Sequence, residues 1–198
     1  ITATLPEKTE ALTFFNLKAN KKTILIIGGS LGARTINESI EKNIELFAQN
    51  EIQLLWQTGK VYYDGIIDRT KNKDLTDVKI HQFIREMNMA YSAADIIISR
   101  AGALSISELC IIGKPTILIP SPNVSEDHQT KNAMALVNKN AAVLVKDTEA
   151  KEKLGTVVLE LMKDEIKLNQ LSENIKTLAK TNAANDIVNT ITGEIQKS

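Results

Sequence analysis

Short apolar runs alternate with amphipathic segments along most of the chain. The first run ends in the glycine turn Gly28–Gly32, and the segment behind it carries an apolar stripe at helical spacing from Ile36 to Phe47. The runs are continuously apolar, which is typical of strands in a parallel sheet that is covered on both faces. This pattern predicts a doubly wound α/β domain with a mainly parallel, six-stranded sheet and helices on both faces. The predicted strands are Thr23–Ile27, Ile52–Thr58, Val78–Phe83, Asp95–Ser99, Thr116–Pro120 and Ala142–Val145.

The segments between these runs are predicted to be helical. Residues 1–22 form a polar lead-in with a short helix over Thr9–Leu17, in which Leu12, Phe15 and Phe14 are expected to face inward. The pattern predicts a single domain, with its α/β core over residues 23–181 and a C-terminal helix over 182–198. The other predicted helices are Val61–Arg69, Glu86–Ala93, Gly102–Ile112, Asp127–Lys139 and two or three segments between Glu149 and Gln196.

Composition narrows the class of protein. The 198 residues carry 24 basic and 24 acidic side chains, a balance that argues against general nucleic-acid binding. The single cysteine, Cys110, cannot form an intramolecular disulfide, so a reducing, cytoplasmic compartment is expected. No apolar run is long enough to span a bilayer. The first residue is Ile1 rather than Met, which suggests a fragment of a longer protein.

The glycine turn after the first strand is the first candidate binding element. Ligands in such sheets bind at the carboxyl ends of the strands. Gly29 and Gly32 allow close backbone approach, and the N–H groups of the following helix favour an anion such as a diphosphate. The glycine spacing differs from the six-residue dinucleotide fingerprint. A tight strand-to-helix turn without a ligand is the alternative interpretation.

A second helix start follows the fourth strand. Gly102 and Ala103 are small, so the backbone N–H groups of Leu104 and Ser105 can also face an anion. Glu108 lies about one turn further on, where a carboxylate can accept hydrogen bonds from the two hydroxyls of a ribose. The alternative is that Glu108 is a solvated helix residue and Ser105 an N-terminal cap.

A third polar cluster begins the helix after the fifth strand. Gln129 and Asn132 are amides of the type that recognises neutral sugar hydroxyls, while Asp127 can cap the helix. His128 has no spaced nucleophile or metal partner, so a hydrogen-bonding role is favoured over a catalytic one. The sequence shows no metal-ligand cluster.

Five stretches together resemble the C-terminal domain of the MurG family of N-acetylglucosamine transferases. Each stretch alone is a weak signal, but their order is the same as in the family, and the resemblance extends from about Glu10 to Asn189. The stretches are Gly28–Ala33, Trp56–Lys60, Phe83-Ile84 with Met87, Ser99–Glu108, and Asp127–Gln129 with Asn132-Ala133.

The resemblance implies a Rossmann-like half of a two-domain GT-B glycosyltransferase. This half would hold UDP-N-acetylglucosamine, with no cofactor or metal. Residues Ser30, Leu104 and Ser105 would bind and stabilise the leaving diphosphate, and the Ile84 backbone would read the uracil edge. Glu108 would bind the ribose. The remaining implied substrate-binding residues are Gly29, Gly32, Gly102, Ala103, Gln129 and Asn132.

The resemblance also implies a reaction, an acceptor and a location. The family transfers N-acetylglucosamine to undecaprenyl-pyrophosphoryl-N-acetylmuramyl-pentapeptide (lipid I), giving lipid II for peptidoglycan and so serving cell shape and division. The acceptor site, the general base and the main contact with the cytoplasmic face of the inner membrane would belong to an N-terminal domain absent here. The family's linker segment with its diphosphate-binding arginine is also missing, since this chain starts Ile1-Thr-Ala-Thr-Leu-Pro-Glu7.

Two other functions remain open at this point. One is another UDP-sugar transferase of the same architecture, acting on a glycolipid or on dolichol-linked sugar. The other is a non-catalytic nucleotide-binding module for NAD or another nucleotide. The missing fingerprint and the absence of an acidic residue at Gln57, where the second strand ends, argue against the second.

Overall fold

Six strands form one sheet in the computed structural model of the chain, which describes residues 4–122 and 127–180. In chain order they are β1 (Lys22–Ile27), β2 (Ile52–Gln57), β3 (Val78–His81), β4 (Ile96–Ser99), β5 (Thr116–Leu118) and β6 (Val143–Leu144). Their order across the sheet is β3-β2-β1-β4-β5-β6, and every pairing is parallel. This order reverses direction between β1 and β4, so the loops behind these two strands lead to opposite faces and leave a crevice between them. The predicted fold class is confirmed, although β3, β5 and β6 end earlier than the apolar runs suggested.

The connections between the strands are helical, as predicted. No helix of the described residues is both long and apolar enough to cross a bilayer. The predicted C-terminal helix over 182–198 lies outside those residues. The helices are α1 (Lys8–Phe14), α2 (Arg34–Gln49), α3 (Tyr63–Thr70), α4 (Met87–Ala93), α5 (Ala103–Ile112), α6 (His128–Val137), α7 (Ala150–Lys163) and α8 (Glu165–Lys176), with a 3-10 turn at Asp147–Glu149.

Both faces of the sheet are buried, because alternate strand residues enter two different apolar cores. On β1, Ile24 and Ile26 pack in a core that includes the inner stripe of α2 and residues of α7. Leu25 and Ile27 pack in the other core, with residues of α1, α4 and α5. The continuous apolar runs of the sequence therefore correspond to central strands with no solvent-facing side.

The first helix departs from the prediction at one position. Leu12 and Phe15 are buried, but Phe14 is 53% exposed. Adjacent helical residues point about 100° apart, so Phe14 and Phe15 cannot both face the core. Phe14 instead lies edge-on to Phe15, with ring centroids 4.9 Å apart.

Charged side chains tie the amino-terminal segment to the edge of the sheet at which the strands begin. The Asp95 carboxylate accepts hydrogen bonds from the Thr23 backbone N–H at 2.8 Å and from Lys8 at 2.6 Å. Asp77 pairs with Lys18 at 2.8 Å and Lys21 at 2.7 Å, and these bonds hold the pKa of its carboxyl below the ordinary value. Both carboxylates precede strands, so this edge is stabilised by internal ion pairs.

A buried polar relay joins α2 to β2. The Trp56 indole N–H donates to Asn37 Oδ1 at 2.9 Å, and Asn37 Nδ2 donates to the Thr58 carbonyl at 2.8 Å. Trp56 and Thr58 are fully buried and Asn37 is 3% exposed. The amide thus satisfies one donor and one acceptor that water cannot reach.

Replacing Asn37 by Ala is expected to lower the free energy of unfolding by about 2–4 kcal/mol, because two buried polar groups lose their partner. Chemical denaturation followed by tryptophan fluorescence measures this. Asn50→Ala at the exposed end of the same helix, where the amide bonds only the Leu46 carbonyl, is the control and should change little. Equal effects of the two substitutions would contradict the role of the relay.

Candidate functional site

The loops that follow the six strands meet at the carboxyl edge of the sheet. Most of the predicted site residues belong to these loops or to the first turn of the helix behind them, whereas Glu108 and Asn132 lie in the second turns of α5 and α6. The described residues of these loops are 28–33 after β1, 58–62 after β2, 82–86 after β3, 100–102 after β4, 119–122 and 127 after β5, and 145–149 after β6.

The first two loops touch through glycine backbone. Gly32 has φ 88° and Gly59 has φ 82°, values that favour glycine. A Cβ on Gly32 would overlap the Thr58 carbonyl, and one on Gly59 would overlap the Gly32 backbone. Lys60 N–H also donates to the Ser30 carbonyl at 3.2 Å. Gly32 is therefore required for packing of the two turns, whatever else it does.

Gly29 and Ser30 lie on the open side of the same turn. Gly29 has φ 86°, yet a Cβ there would meet no atom within 4 Å. Ser30 is exposed. The helix behind the turn has Ala33 at its N-cap, and no side chain caps its free N–H groups. The turn therefore offers open space next to uncapped donors, which is the arrangement that suits an anion.

A cavity of about 390 Å³ opens at this helix start. One of the side chains that line it is Arg100, which was not among the predicted site residues. Arg100 follows β4 directly; its Nη1 donates to the Ile119 carbonyl at 2.9 Å and to the Asp147 carboxylate. Thr35 on α2 donates to the other Asp147 oxygen at 2.8 Å. Arg100 and Asp147 are 15% and 14% exposed, so their pairing is better sheltered than a surface ion pair. The lining residues are Gly28, Gly32, Ala33, Arg34, Thr35, Tyr62, Arg100, Ser121, Pro122, Gln129 and Asp147.

The second predicted anion site, at the start of α5, also lacks a side-chain cap. Gly102 occupies the N-cap position, so the alternative in which Ser105 caps this helix is wrong. Leu104 is 87% exposed, which leaves the first turn accessible from outside. The sequence-predicted N–H groups of Leu104 and Ser105 are thus placed in the uncapped first turn.

Glu108 is held by Tyr91, which was not among the predicted site residues. Tyr91 on α4 is fully buried, and its hydroxyl donates to Glu108 Oε2 at 2.9 Å. Burial, together with the charge of Glu108, raises the pKa of the Tyr91 hydroxyl, so it is a permanent donor at neutral pH. Glu108 is partly buried, and this bond orients one carboxylate oxygen while the other takes no bond from the described residues. It is therefore more than a solvated helix residue.

The amides of α6 bind the loops behind β4 and β5. Gln129 Oε1 accepts from Ser121 N–H at 2.9 Å and from Ala101 N–H at 3.2 Å, and Asn132 Nδ2 donates to the Ala101 carbonyl at 3.0 Å. No described residue accepts a hydrogen bond from Gln129 Nε2, and Gln129 lines the 390 Å³ cavity. Asp127 stands at the N-cap with φ 56°, but its side chain makes no capping bond, so the predicted capping role is not confirmed.

The Ile84 backbone is held by Gln57, which was not among the predicted site residues. Its N–H donates to Gln57 Oε1 at 2.8 Å, and Gln57 Nε2 donates to the Gly29 carbonyl at 3.3 Å. Gln57 is only 5% exposed. The side chain that ends β2 therefore joins the glycine turn to the loop behind β3, and the Ile84 backbone keeps only its carbonyl for a ligand.

The structure brings the predicted residues to one edge but not into one enclosed cavity. Gly32 and Gln129 line the 390 Å³ cavity, whereas Ile84 lines a separate cavity of about 530 Å³ beside His81 and Phe83. Glu108 lines neither. Over residues 4–122 and 127–180, no group of three or more His, Cys, Asp or Glu side chains is arranged to hold a metal ion.

The chain is similar to a known family of proteins over most of its length. Residues 23–191 match the glycosyltransferase family 28 C-terminal domain. The chain belongs to this family. Among its relatives are the UDP-N-acetylglucosamine--N-acetylmuramyl-(pentapeptide) pyrophosphoryl-undecaprenol N-acetylglucosamine transferases of Parabacteroides distasonis, 51% identical over 98% of this chain, and of Cytophaga hutchinsonii, 55% identical over 91%.

A solved structure of the family has the same fold. The crystal structure of Acinetobacter baumannii MurG superposes with a TM-score of 0.79 at 25% identity over 96% of this chain and 54% of that one. This chain likewise covers 52% and 48% of the two transferases. It therefore spans about half the length of the family 28 proteins that it matches, and it corresponds to their C-terminal domain.

Gly32→Ala is expected to lower the free energy of unfolding by about 2–4 kcal/mol, since an alanine is strained at φ 88° and its Cβ would displace the Thr58 carbonyl. Thermal or chemical denaturation measures the loss.

Gly65→Ala in α3 is the matched control. Its Cβ would meet only the flexible end of Arg69 at 3.1 Å, so this substitution should be stabilising by about 0.5–1 kcal/mol. If Gly32→Ala were as harmless, the two turns would not depend on this contact.

Proposed function

We propose that this chain is the donor-binding half of an inverting transferase that moves N-acetylglucosamine from UDP-N-acetylglucosamine to lipid I. The observation that supports this best is the pair of uncapped helix starts, α2 and α5, at one crevice of the sheet. Two such helix ends supply several N–H donors and favourable dipoles for a diphosphate. The chain belongs to family 28, and the names of its relatives suggest N-acetylglucosamine as the sugar and lipid I as the acceptor.

Each part of the donor has a chemically suitable partner. The diphosphate is assigned to Gly29, Ser30 and Gly32 of the first turn and to Gly102, Ala103, Leu104 and Ser105 of the second helix start. The ribose hydroxyls are assigned to Glu108, whose orientation by Tyr91 supports this role. The uracil is assigned to the Ile84 carbonyl. The sugar is assigned to the unused Nε2 of Gln129 and to Oδ1 of Asn132, since both residues use their other amide atom internally.

The reaction follows from this placement. An acceptor hydroxyl oxygen forms a bond to C1 of N-acetylglucosamine while the bond from C1 to the diphosphate oxygen breaks, and UDP leaves with the electron pair. The hydroxyl proton passes to a base outside the residues described. Negative charge grows on the diphosphate as the bond breaks, so donors already aimed at it stabilise the transition state more than the ground state. The proposal therefore requires neither a metal nor another cofactor for departure of the leaving group.

The acceptor and the membrane belong to the same proposal. The matched relatives are about twice as long as this chain, so lipid I and the cytoplasmic face of the membrane are assigned to the part of such a protein that this chain does not cover. The chain itself is proposed to work in the cytoplasm as the UDP-sugar domain of residues 1–198.

The bonds of Gln57 weigh against an NAD module. In dinucleotide-binding domains the residue ending the second strand is an acid that holds the ribose. Here Gln57 is buried, and both of its amide atoms are bound to backbone. It lacks the charge of such an acid, and its burial and its two backbone bonds disfavour contact with a ribose. A transferase with a glycolipid or dolichol-linked acceptor would use the same kind of donor site. That alternative is distinguished by which sugar and which acceptor are used, not by which nucleotide binds.

Calorimetric titration with UDP-N-acetylglucosamine, UDP-glucose, UDP-galactose and NAD tests the donor assignment. We expect heat of binding with the UDP-sugars, strongest with UDP-N-acetylglucosamine, and no saturable response to NAD. Tighter binding of NAD, or no heat of binding with any of the UDP-sugars, would overturn the proposed function.

Glu108→Ala should weaken UDP binding by about 1–3 kcal/mol, because the ribose hydroxyls lose a charged acceptor. Tyr91→Phe, which only releases that carboxylate, should cost less, about 0.5–1.5 kcal/mol. Glu173→Ala, an exposed carboxylate on α8, is the control and should leave the affinity unchanged. An unchanged affinity in Glu108→Ala would remove this residue from the site.

A further inference from the structure

We propose that Asp147 is a positioning residue that sets the spacing between the two helix starts assigned to the diphosphate. Its carboxylate joins the residue behind β4 to the first turn of α2, through one bond from Arg100 and one from Thr35. This inference rests on the proposed function, since it concerns how the diphosphate site of the same donor is held in shape.

The two partners of Asp147 lie close to the two uncapped helix starts. Arg100 lies two residues before Gly102, the N-cap of α5. Thr35 lies two residues after Ala33, the N-cap of α2. Arg100 Nη1 donates to one oxygen of the Asp147 carboxylate, and the Thr35 hydroxyl donates to the other at 2.8 Å. This Arg100–Asp147–Thr35 bridge therefore spans the crevice between β1 and β4, from one helix start to the other.

Asp147 is itself held by the segment on which it lies, the 3-10 turn between β6 and α7. On one side of it, Val145 is buried and donates its N–H to the Leu118 carbonyl of β5 at 3.0 Å. On the other side, Ala150 begins α7 and is fully buried. Because both flanks are packed into the domain, the carboxylate is a fixed point for its two partners.

Arg100 is held from a second direction as well. The same Nη1 donates to the Ile119 carbonyl behind β5 at 2.9 Å. The side chains of Arg100 and Asp147 are 15% and 14% exposed, so water screens their attraction less than it screens a surface ion pair. Without Asp147, Arg100 would keep only the Ile119 bond among the described residues, and Thr35 would lose its link to the other helix start.

The spacing of the helix starts matters because a diphosphate would take donors from both of them at once. Hydrogen bonds weaken steeply when distance and angle depart from their optimum. Groups that are already in position before the ligand arrives do not have to be ordered at the expense of binding. Loss of the bridge should therefore weaken the bonds to the diphosphate and leave those to the base and the ribose intact.

The charge of Asp147 gives this inference a distinctive sign. The carboxylate lines the 390 Å³ cavity at the start of α2, where its charge alone would repel a diphosphate. Its oxygens are instead occupied by donors, and Arg100 balances its charge. A positioning role predicts weaker binding of the diphosphate when Asp147 is removed, whereas an effect of charge alone predicts tighter binding.

The test compares UDP with uridine, which keeps the base and the ribose but lacks the diphosphate. NMR titration of the unmodified chain and of Asp147→Ala measures both affinities. We expect Asp147→Ala to bind UDP about tenfold more weakly, an effect of the size of one charged hydrogen bond, and to bind uridine as the unmodified chain does.

Asp147→Asn is the conservative variant. Its oxygen can still accept from Arg100, and its amide nitrogen can donate to the Thr35 hydroxyl. We therefore expect Asp147→Asn to keep most of the affinity for UDP. An affinity for UDP that rises in both Asp147→Ala and Asp147→Asn would show an effect of charge alone and overturn the inference.

Asp77 provides a matched control at the opposite edge of the sheet. Its side chain is 13% exposed and pairs with Lys18 and Lys21. Asp77→Ala should reduce stability comparably without changing the ratio of UDP to uridine affinity. A ratio that is unchanged in folded Asp147→Ala, or lowered equally in Asp77→Ala, contradicts the positioning role.

Thr35→Val covers the case in which Asp147→Ala does not fold. Valine keeps the branched shape of threonine and removes only the hydroxyl from the bridge, so the affinity for UDP should fall about threefold while that for uridine stays the same. An unchanged ratio in Thr35→Val overturns the inference. If the unmodified chain binds neither ligand, or binds UDP no more tightly than uridine, the proposed function fails and this inference fails with it.

Discussion

The contact between Gly32 and Gly59 is the constraint on which the carboxyl edge of the sheet depends. Two turns from neighbouring strands approach so closely that neither position has room for a side chain. This approach holds the turn behind β1 against the end of β2, and with it the start of α2. The open side of the turn, at Gly29 and Ser30, is thereby presented to the crevice without being filled by the protein's own atoms.

The polar groups of the site are oriented by partners from other elements. Gln57 fixes Ile84, Tyr91 fixes Glu108, and Gln129 fixes the loop at Ala101. Gln57 and Tyr91 are themselves buried, so both hold their partners from inside the domain. Such support keeps donors and acceptors in position before a ligand arrives, which lowers the cost of ordering them during binding. The opposite edge is held by the ion pairs of Asp77 and Asp95.

Local patterns in the sequence predicted the fold but only part of the site. The strands and the stripe of α2 depend on residues close in sequence, and the six strands and this helix were predicted, although several strand ends were not, because continuous apolar runs and helical spacing have few alternatives. Phe14 was misplaced because two adjacent aromatic residues do not reveal which one faces the core. The bonds of Gln57 to Ile84, Tyr91 to Glu108 and Arg100 to Asp147 join residues 17 to 47 positions apart, and no local pattern indicates such partners. Only the positions of Gln57 and Arg100 in the sequence could have indicated a role, since Gln57 ends a strand and Arg100 follows one.

The most direct test of the central claim is a crystal structure of the chain with UDP-N-acetylglucosamine. We expect the diphosphate between the starts of α2 and α5, the ribose at Glu108 and the N3 edge of uracil at the Ile84 carbonyl. Well-defined nucleotide bound elsewhere on the chain, or with its ribose away from Glu108 and its base away from Ile84, would contradict the account.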